Sequence, residues 1–272
     1  GHINIVERMA PLYDELVVLV AVDSRKTYTF TPEERVSMAQ SAVANLPNVT
    51  VDACCGRYVV KHADSIGAQV IIRGIRNFKD LEDEQTLAEE NRKICPHIET
   101  IWVPCLPNFM HVSSSMVKGH VGADPSWEEQ VARSVPVAVV LKLKEKFILG
   151  KAKKHWTSLM MALGNPRESD AIFKDIVARY SEPHRSYHNL EHIVTMLDEL
   201  DGVTGYLVNP EEVTMAVWWH DIIYETATKN HPNTDGNEER SAHRAQLDLS
   251  RLELAENITV RIKKLIMTTT HA

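Results

Sequence analysis

Apolar and polar positions change their rhythm once along the chain. In the first half, short continuous apolar runs alternate with stretches of helical period. Leu16 to Val22 is an unbroken apolar run of strand length, the pattern of a buried parallel strand. Val49 to Val51, Val70 to Ile72 and Ile98 to Val103 predict further strands. Helices are predicted between them: an amphipathic one over Ile3 to Tyr13, then Pro32 to Ala44, Tyr58 to Ile66, and a polar one over Leu81 to Ile94. Thr31 with Glu34 three residues on predicts a capping box, and Gly67 a helix stop. Ser113-Ser114-Ser115 caps a short helix through Lys118. Such alternation implies a parallel sheet with crossover helices.

Beyond about Phe147 the strands stop. Gly150 to Lys154 reads as a polar, basic connection, and everything after it has the helical period: Trp156 to Leu163, Asp170 to Tyr180, Leu190 to Leu200, Glu211 to Tyr224, Glu238 to Leu249 and Ile258 to Thr268. The expected organisation is an α/β domain over residues 1–149 and an all-helical domain over residues 150–272. Eight of the thirteen histidines lie in the second part and all four cysteines in the first, so the two parts are expected to do different chemistry. Gly1-His2 runs straight into a helix and the chain stops at the tail of another pattern, so it reads as a piece of a longer one.

Length and composition agree with two soluble globular domains. The chain has 272 residues, 44% hydrophobic and 25% charged, against about 150 residues for a typical domain. Thirty Lys and Arg against thirty-seven Asp and Glu give a net charge of -7, which argues against a general nucleic-acid or membrane-surface binder but leaves room for a local basic pocket. No apolar run approaches the length of a bilayer span, and no signal-peptide pattern is present. Cys54, Cys55, Cys95 and Cys105 have no zinc-type spacing and read as reduced thiols of a cytoplasmic protein.

The first half holds a set of anion-binding parts. His2 stands at a helix start, where unpaired N–H groups and the helix dipole favour phosphate. Lys26 follows the first strand, and Arg73-Gly74-Ile75-Arg76 follows the third, with two cations flanking a glycine that lets backbone approach a ligand. Ser113, Ser114 and Ser115 present hydroxyls and amides at another helix start. In a parallel sheet these segments emerge at the carboxyl ends of strands, where ligands bind. Each part alone has a plainer reading as a surface residue or a cap; their joint occurrence favours function.

These segments resemble the phosphopantetheine adenylyltransferase family of nucleotidyltransferases. Gly1-His2 is similar to the second half of its (T/H)-x-G-H motif, and Val112-Ser113-Ser114-Ser115 to its I-S-S-S motif. Phe30 to Val36, Ile72 to Arg76 and Asn91-Arg92-Lys93 also match. The resemblance covers nearly all of residues 1–147 and implies a Rossmann-like domain that adenylylates 4′-phosphopantetheine with ATP in coenzyme A biosynthesis. It implies that His2 stabilises charge on the α-phosphate, and that Lys26 and Arg73 bind the acceptor phosphate. It places Gly74, Arg76, Glu84 and Ser113 to Ser115 against ATP, Asn91 in the acceptor pocket, and Mg2+ on the ATP. It also implies a homo-oligomer, commonly a hexamer. Where the family has Phe-Glu-Tyr-Glu this chain has Leu81-Glu82-Asp83-Glu84, and Glu90 replaces an apolar residue before Asn91. Those acids open an alternative, a nucleotidyltransferase for another phosphorylated acceptor; a degenerate nucleotide-binding regulatory protein is a third reading.

The second half holds His188 and His192, four residues apart and expected on one helix face, followed by His220-Asp221 after an apolar stretch. Imidazoles with a carboxylate suit Zn, Mn, Fe or a similar divalent metal. Arg185 to Ile193, Trp218 to Asp221 and Asn237 to Ala242 together resemble the HD superfamily of metal-dependent phosphohydrolases. That resemblance implies His192, His220 and Asp221 as ligands of Mn, Fe, Zn or Mg, with His188 and Glu238 near the site. It also implies a late Asp ligand. No Asp follows Asp248, and His271 reads as the approach to that segment.

Overall fold

The computed structural model describes residues 1–23, 25–164, 166–225 and 236–269, which divide into two compact units, Gly1–Lys144 and Glu145–Ala272. In the first unit the order is α1 (His2–Met9), β1 (Leu16–Val22), α2 (Pro32–Val43), β2 (Val49–Cys55), α3 (Val59–Ser65), β3 (Val70–Ile75), α4 (Phe78–Ile94), β4 (Glu99–Pro104), α5 (Ser114–His120) and α6 (Trp127–Ala132). β1 pairs in parallel with β2, Leu16 opposite Val49, and β3 in parallel with β4, Val70 opposite Glu99. Parallel pairs with helical crossovers fit a Rossmann-like nucleotidyltransferase domain.

Local chemistry sets several boundaries. The Thr31 hydroxyl accepts from the Glu34 amide at 3.2 Å and the Glu34 carboxylate accepts from the Thr31 amide at 2.9 Å, a complete capping box. Gly67 closes α3 at φ +74°, a conformation costly for other residues. β1 differs from expectation in burial: of its apolar side chains only Val20 is buried. Each described sheet holds two strands, so a run composed for burial on both faces is half covered. The α1 helix reaches both strand pairs. Ile3 and Val6 pack with Leu16 and Val18, while Arg8 donates from Nη1 to the Pro104 carbonyl at 2.9 Å.

The expected connection at Gly150 to Lys154 is helical instead. These residues lie inside α7 (Val137–Ala162), because Ala and Lys favour helix and Ala152 is fully buried. The second unit continues with α8 (Ser169–Tyr180), α9 (Leu190–Asp201), α10 (Pro210–Trp219), α11 (Asn237–Arg251) and α12 (Glu256–Met267), with no strand among its described residues. The last turns of α10 are apolar and wrapped: Met215, Trp218 and Trp219 are fully buried, with α9, α11 and α12 against the helix. Trp156 and Trp218 meet edge to face at 5.4 Å between centroids, and Phe173 packs on both. No helix of the described residues is long and apolar enough to cross a membrane.

Candidate functional site

In the first unit, His2, Arg73, Arg76 and the serines gather around the end of β3, while Lys26 lies after β1. His2 lies in the first turn of α1. Burial pushes its imidazole below the ordinary value, and the charges of Arg73 and Arg76 push the same way. Arg76 is held by Asp80, which accepts from its Nε at 2.8 Å and from its backbone N–H at 3.2 Å. The other side of the same guanidinium donates to the Val112 carbonyl at 3.4 Å, directly before the serines. Ser113 caps α5 by accepting from the Met116 amide at 3.2 Å, and Ser114 and Ser115 form the first turn. Asp80 carries no sequence motif: Arg76 lies before the Asn77 cap of α4, so no helical spacing links the two.

Arg73 and Glu84, expected to touch different substrates, bond each other. The Glu84 carboxylate accepts from Arg73 Nε at 2.7 Å and also from Nη2, which leaves Nη1 unengaged by this pair. Gly74 has a packing role as well. A Cβ built there would overlap Ile5 Cδ1, so the glycine makes room for α1 on β3. Lys26 stands exposed in the turn after β1, and no side-chain contact joins it to Arg73 among the described residues. Asn91 is buried within α4. The acids that distinguish α4 face solvent: Asp83 is exposed, and Glu90 pairs with Lys93 at 2.6 Å.

In the second unit, His188, His192 and Asp221 each offer a ligand atom, all within 4.8 Å of one another. Two imidazoles and a carboxylate are a donor set that divalent Zn, Mn or Fe accepts. His188 does not share a helix face with His192. Asn189 caps α9, its Oδ1 accepting from the amides of Glu191 and His192 at 3.0 and 3.2 Å, so His188 precedes the helix. The helix expected to run through Tyr224 ends at Trp219, which places His220 and Asp221 at its exit. His188 Nδ1 lies 2.6 Å and His220 Nε2 3.0 Å from Asp221 Oδ2. His220 Nδ1 is 2.9 Å from the Val217 carbonyl, which fixes the proton there and turns Nε2 toward the cluster. Burial alone would raise the Asp221 pKa; the hydrogen bonds and charges of His220 and His188 outweigh it and hold the carboxyl down at about 2. For His192, burial comes first and the neighbouring imidazoles add to it, lowering its pKa. Glu238 is half-buried in the first turn of α11, outside the cluster. His271 lies outside the described residues.

Residues 1–120 match the cytidylyltransferase-like family. The phosphopantetheine adenylyltransferase of Bdellovibrio bacteriovorus is 44% identical over 118 residues, 43% of this chain and 73% of the relative. That of Staphylococcus carnosus is 37% identical over 147 residues, 54% of this chain and 88% of the relative. The Leuconostoc citreum protein of the same name is 40% identical over 148 residues, 54% of this chain and 89% of the relative. Relatives this similar, matched along most of their own length, carry the same kind of unit as the one built around His2, Arg73 and Arg76, and the chain belongs to the phosphopantetheine adenylyltransferase family of cytidylyltransferase-like nucleotidyltransferases.

Proposed function

We propose that the first unit transfers the adenylyl group of ATP to 4′-phosphopantetheine, yielding dephospho-coenzyme A and pyrophosphate. The observation that supports this most is His2 at a helix start beside Arg73 and Arg76. A phosphate oxygen of the acceptor attacks the α-phosphorus. A new O–P bond forms, the bond to the bridging oxygen breaks, and pyrophosphate leaves. No covalent enzyme intermediate is needed, so the residues act by positioning and by stabilising charge. His2 donates to an α-phosphate oxygen as its charge develops. Arg73, through the Nη1 edge left by Glu84, and Lys26 bind the acceptor phosphate. Arg76, braced by Asp80, and the amides at Ser113 to Ser115 hold the triphosphate, with Mg2+ arriving on ATP.

The test is pyrophosphate release from ATP with a panel of acceptors. Turnover with 4′-phosphopantetheine, and far less with pantetheine, is the expected result. Release with a different phosphorylated acceptor alone would favour the alternative reading; the outward-facing Asp83 and Glu90 weigh against it. Light scattering tests the homo-oligomer that the family reading carries with it.

We infer that the second unit is an HD-type metal-dependent phosphohydrolase acting on a phosphate ester. His188, His192 and Asp221 would hold a divalent ion of the Mn, Fe, Zn or Mg class, with His220 oriented beside them. When bound, such an ion activates water for attack on phosphorus. Equilibrium titration with Mn2+, alongside phosphate release from nucleotides and phosphomonoesters, tests it. Phosphate release that does not depend on a divalent ion would end this reading.

A further inference from the structure

Arg185 is the feature of the second unit that neither the ligand chemistry nor the core explains. It is charged, yet its side chain is only 1% exposed. A cation in such a place is costly unless its donors are used. Nη1 donates to two carbonyls, His188 at 3.1 Å and Asp221 at 2.7 Å. Nη2 donates to the Ile222 carbonyl at 3.0 Å, and Nε to the Glu182 carboxylate at 3.0 Å. The plane lies between two rings, with its central carbon 5.0 Å from the Tyr180 centroid and 5.6 Å from that of Tyr224.

The carbonyls gathered here belong to two of the metal-ligand candidates themselves. His188 precedes α9 and Asp221 follows α10, so neither is fixed by a helical hydrogen-bond ladder. The two are 33 positions apart in sequence; in space their side chains meet at 2.6 Å and their backbones are joined by this guanidinium. Tyr180 closes the arrangement from below by donating to the Trp218 carbonyl at 3.1 Å, and the Tyr224 ring packs on His188 at 4.5 Å.

We propose that Arg185 is the positioning residue of the metal centre: by binding the backbone carbonyls of His188 and Asp221 together, it sets the distance at which their side chains converge on one ion. The proposal rests on the metal reading of the second unit. Lys cannot reproduce it, because an ammonium is a point donor and the three carbonyls need a planar fork. Partners behind the ligands typically contribute about 10–100-fold in metal affinity.

The experiment compares the full chain with Arg185→Lys, Glu182→Gln and His192→Ala. It measures Mn2+ affinity by electron paramagnetic resonance, the visible spectrum of the Co2+ form, and the thermal midpoint without metal. Arg185→Lys is expected to weaken Mn2+ binding about 10–100-fold and to alter the Co2+ spectrum, since the ligands no longer meet at one geometry. Glu182→Gln keeps the three carbonyl bonds, so its affinity should stay near that of the parent chain even where its thermal midpoint falls. Unchanged affinity and spectrum in folded Arg185→Lys would overturn the proposal. If Arg185→Lys does not fold, Glu182→Gln decides: affinity that drops in step with its stability would overturn it too. A parent chain that binds no Mn2+, with His192→Ala no different, would sink the metal reading and this proposal with it. Binding in the parent chain with no effect at Arg185 sinks this proposal alone.

Discussion

The two units hold their charged groups in opposite ways. In the first, the cations Arg73 and Arg76 stand half-exposed at the end of a strand, each already engaged by a carboxylate on α4. In the second, the imidazole and carboxylate groups sit over an aromatic core and are tied from behind by a buried guanidinium. On the functions proposed above, the difference suits the ligands each unit would take. A polyphosphate brings its own charge and needs donors that remain open to it. A metal ion needs donor atoms at fixed separations, and only packed surroundings hold those. Polar satisfaction therefore serves access in one unit and geometry in the other.

The sharpest break in that comparison is Trp218→Ala. Deleting a fully buried indole should cost about 3–5 kcal/mol, and the unfolding of the second unit, followed by circular dichroism, should move to lower temperature while adenylyl transfer at low temperature persists. Joint loss of both would erase the contrast drawn here. Next comes His2→Ala, expected to lower kcat about 10²–10³-fold with ATP affinity little changed, as steady-state kinetics beside equilibrium binding would reveal. An equal loss in binding would make His2 a ground-state contact. Arg73→Lys should raise KM for the acceptor roughly tenfold, from the loss of one charge-assisted contact; an unchanged KM removes Arg73 from acceptor binding. The smallest effect is expected from Thr31→Ala, about 1 kcal/mol of stability in the first unit by denaturant titration, because it opens the capping box without touching a charge at the site.

What was legible in the sequence was what neighbouring residues decide. The capping box at Thr31 and Glu34, the glycine stop at Gly67, the serine cap at Ser113 and the four parallel strands all follow from short-range pattern, and all are present. The misreadings have long-range causes. α10 ends early where the carbonyls beyond it are taken by Arg185, 36 positions away in sequence. The exception is His188, which a local cause puts outside the helix: Asn189 beside it is the N-cap. Arg73 and Glu84 find each other across 11 positions, a spacing that no helical rule announces. At the site, motifs named the residue types; the pairings that tune them came from tertiary structure.

Gly74 shows how little mass such tuning takes. One added methyl there would meet the terminal carbon of Ile5, the far end of a flexible side chain, so Ile5 would have to turn aside in a buried site. Ile5 and His2 are one helical turn apart on the same short helix. The glycine acts as a shim between two plates: its thickness sets the room that Ile5 fills between α1 and β3.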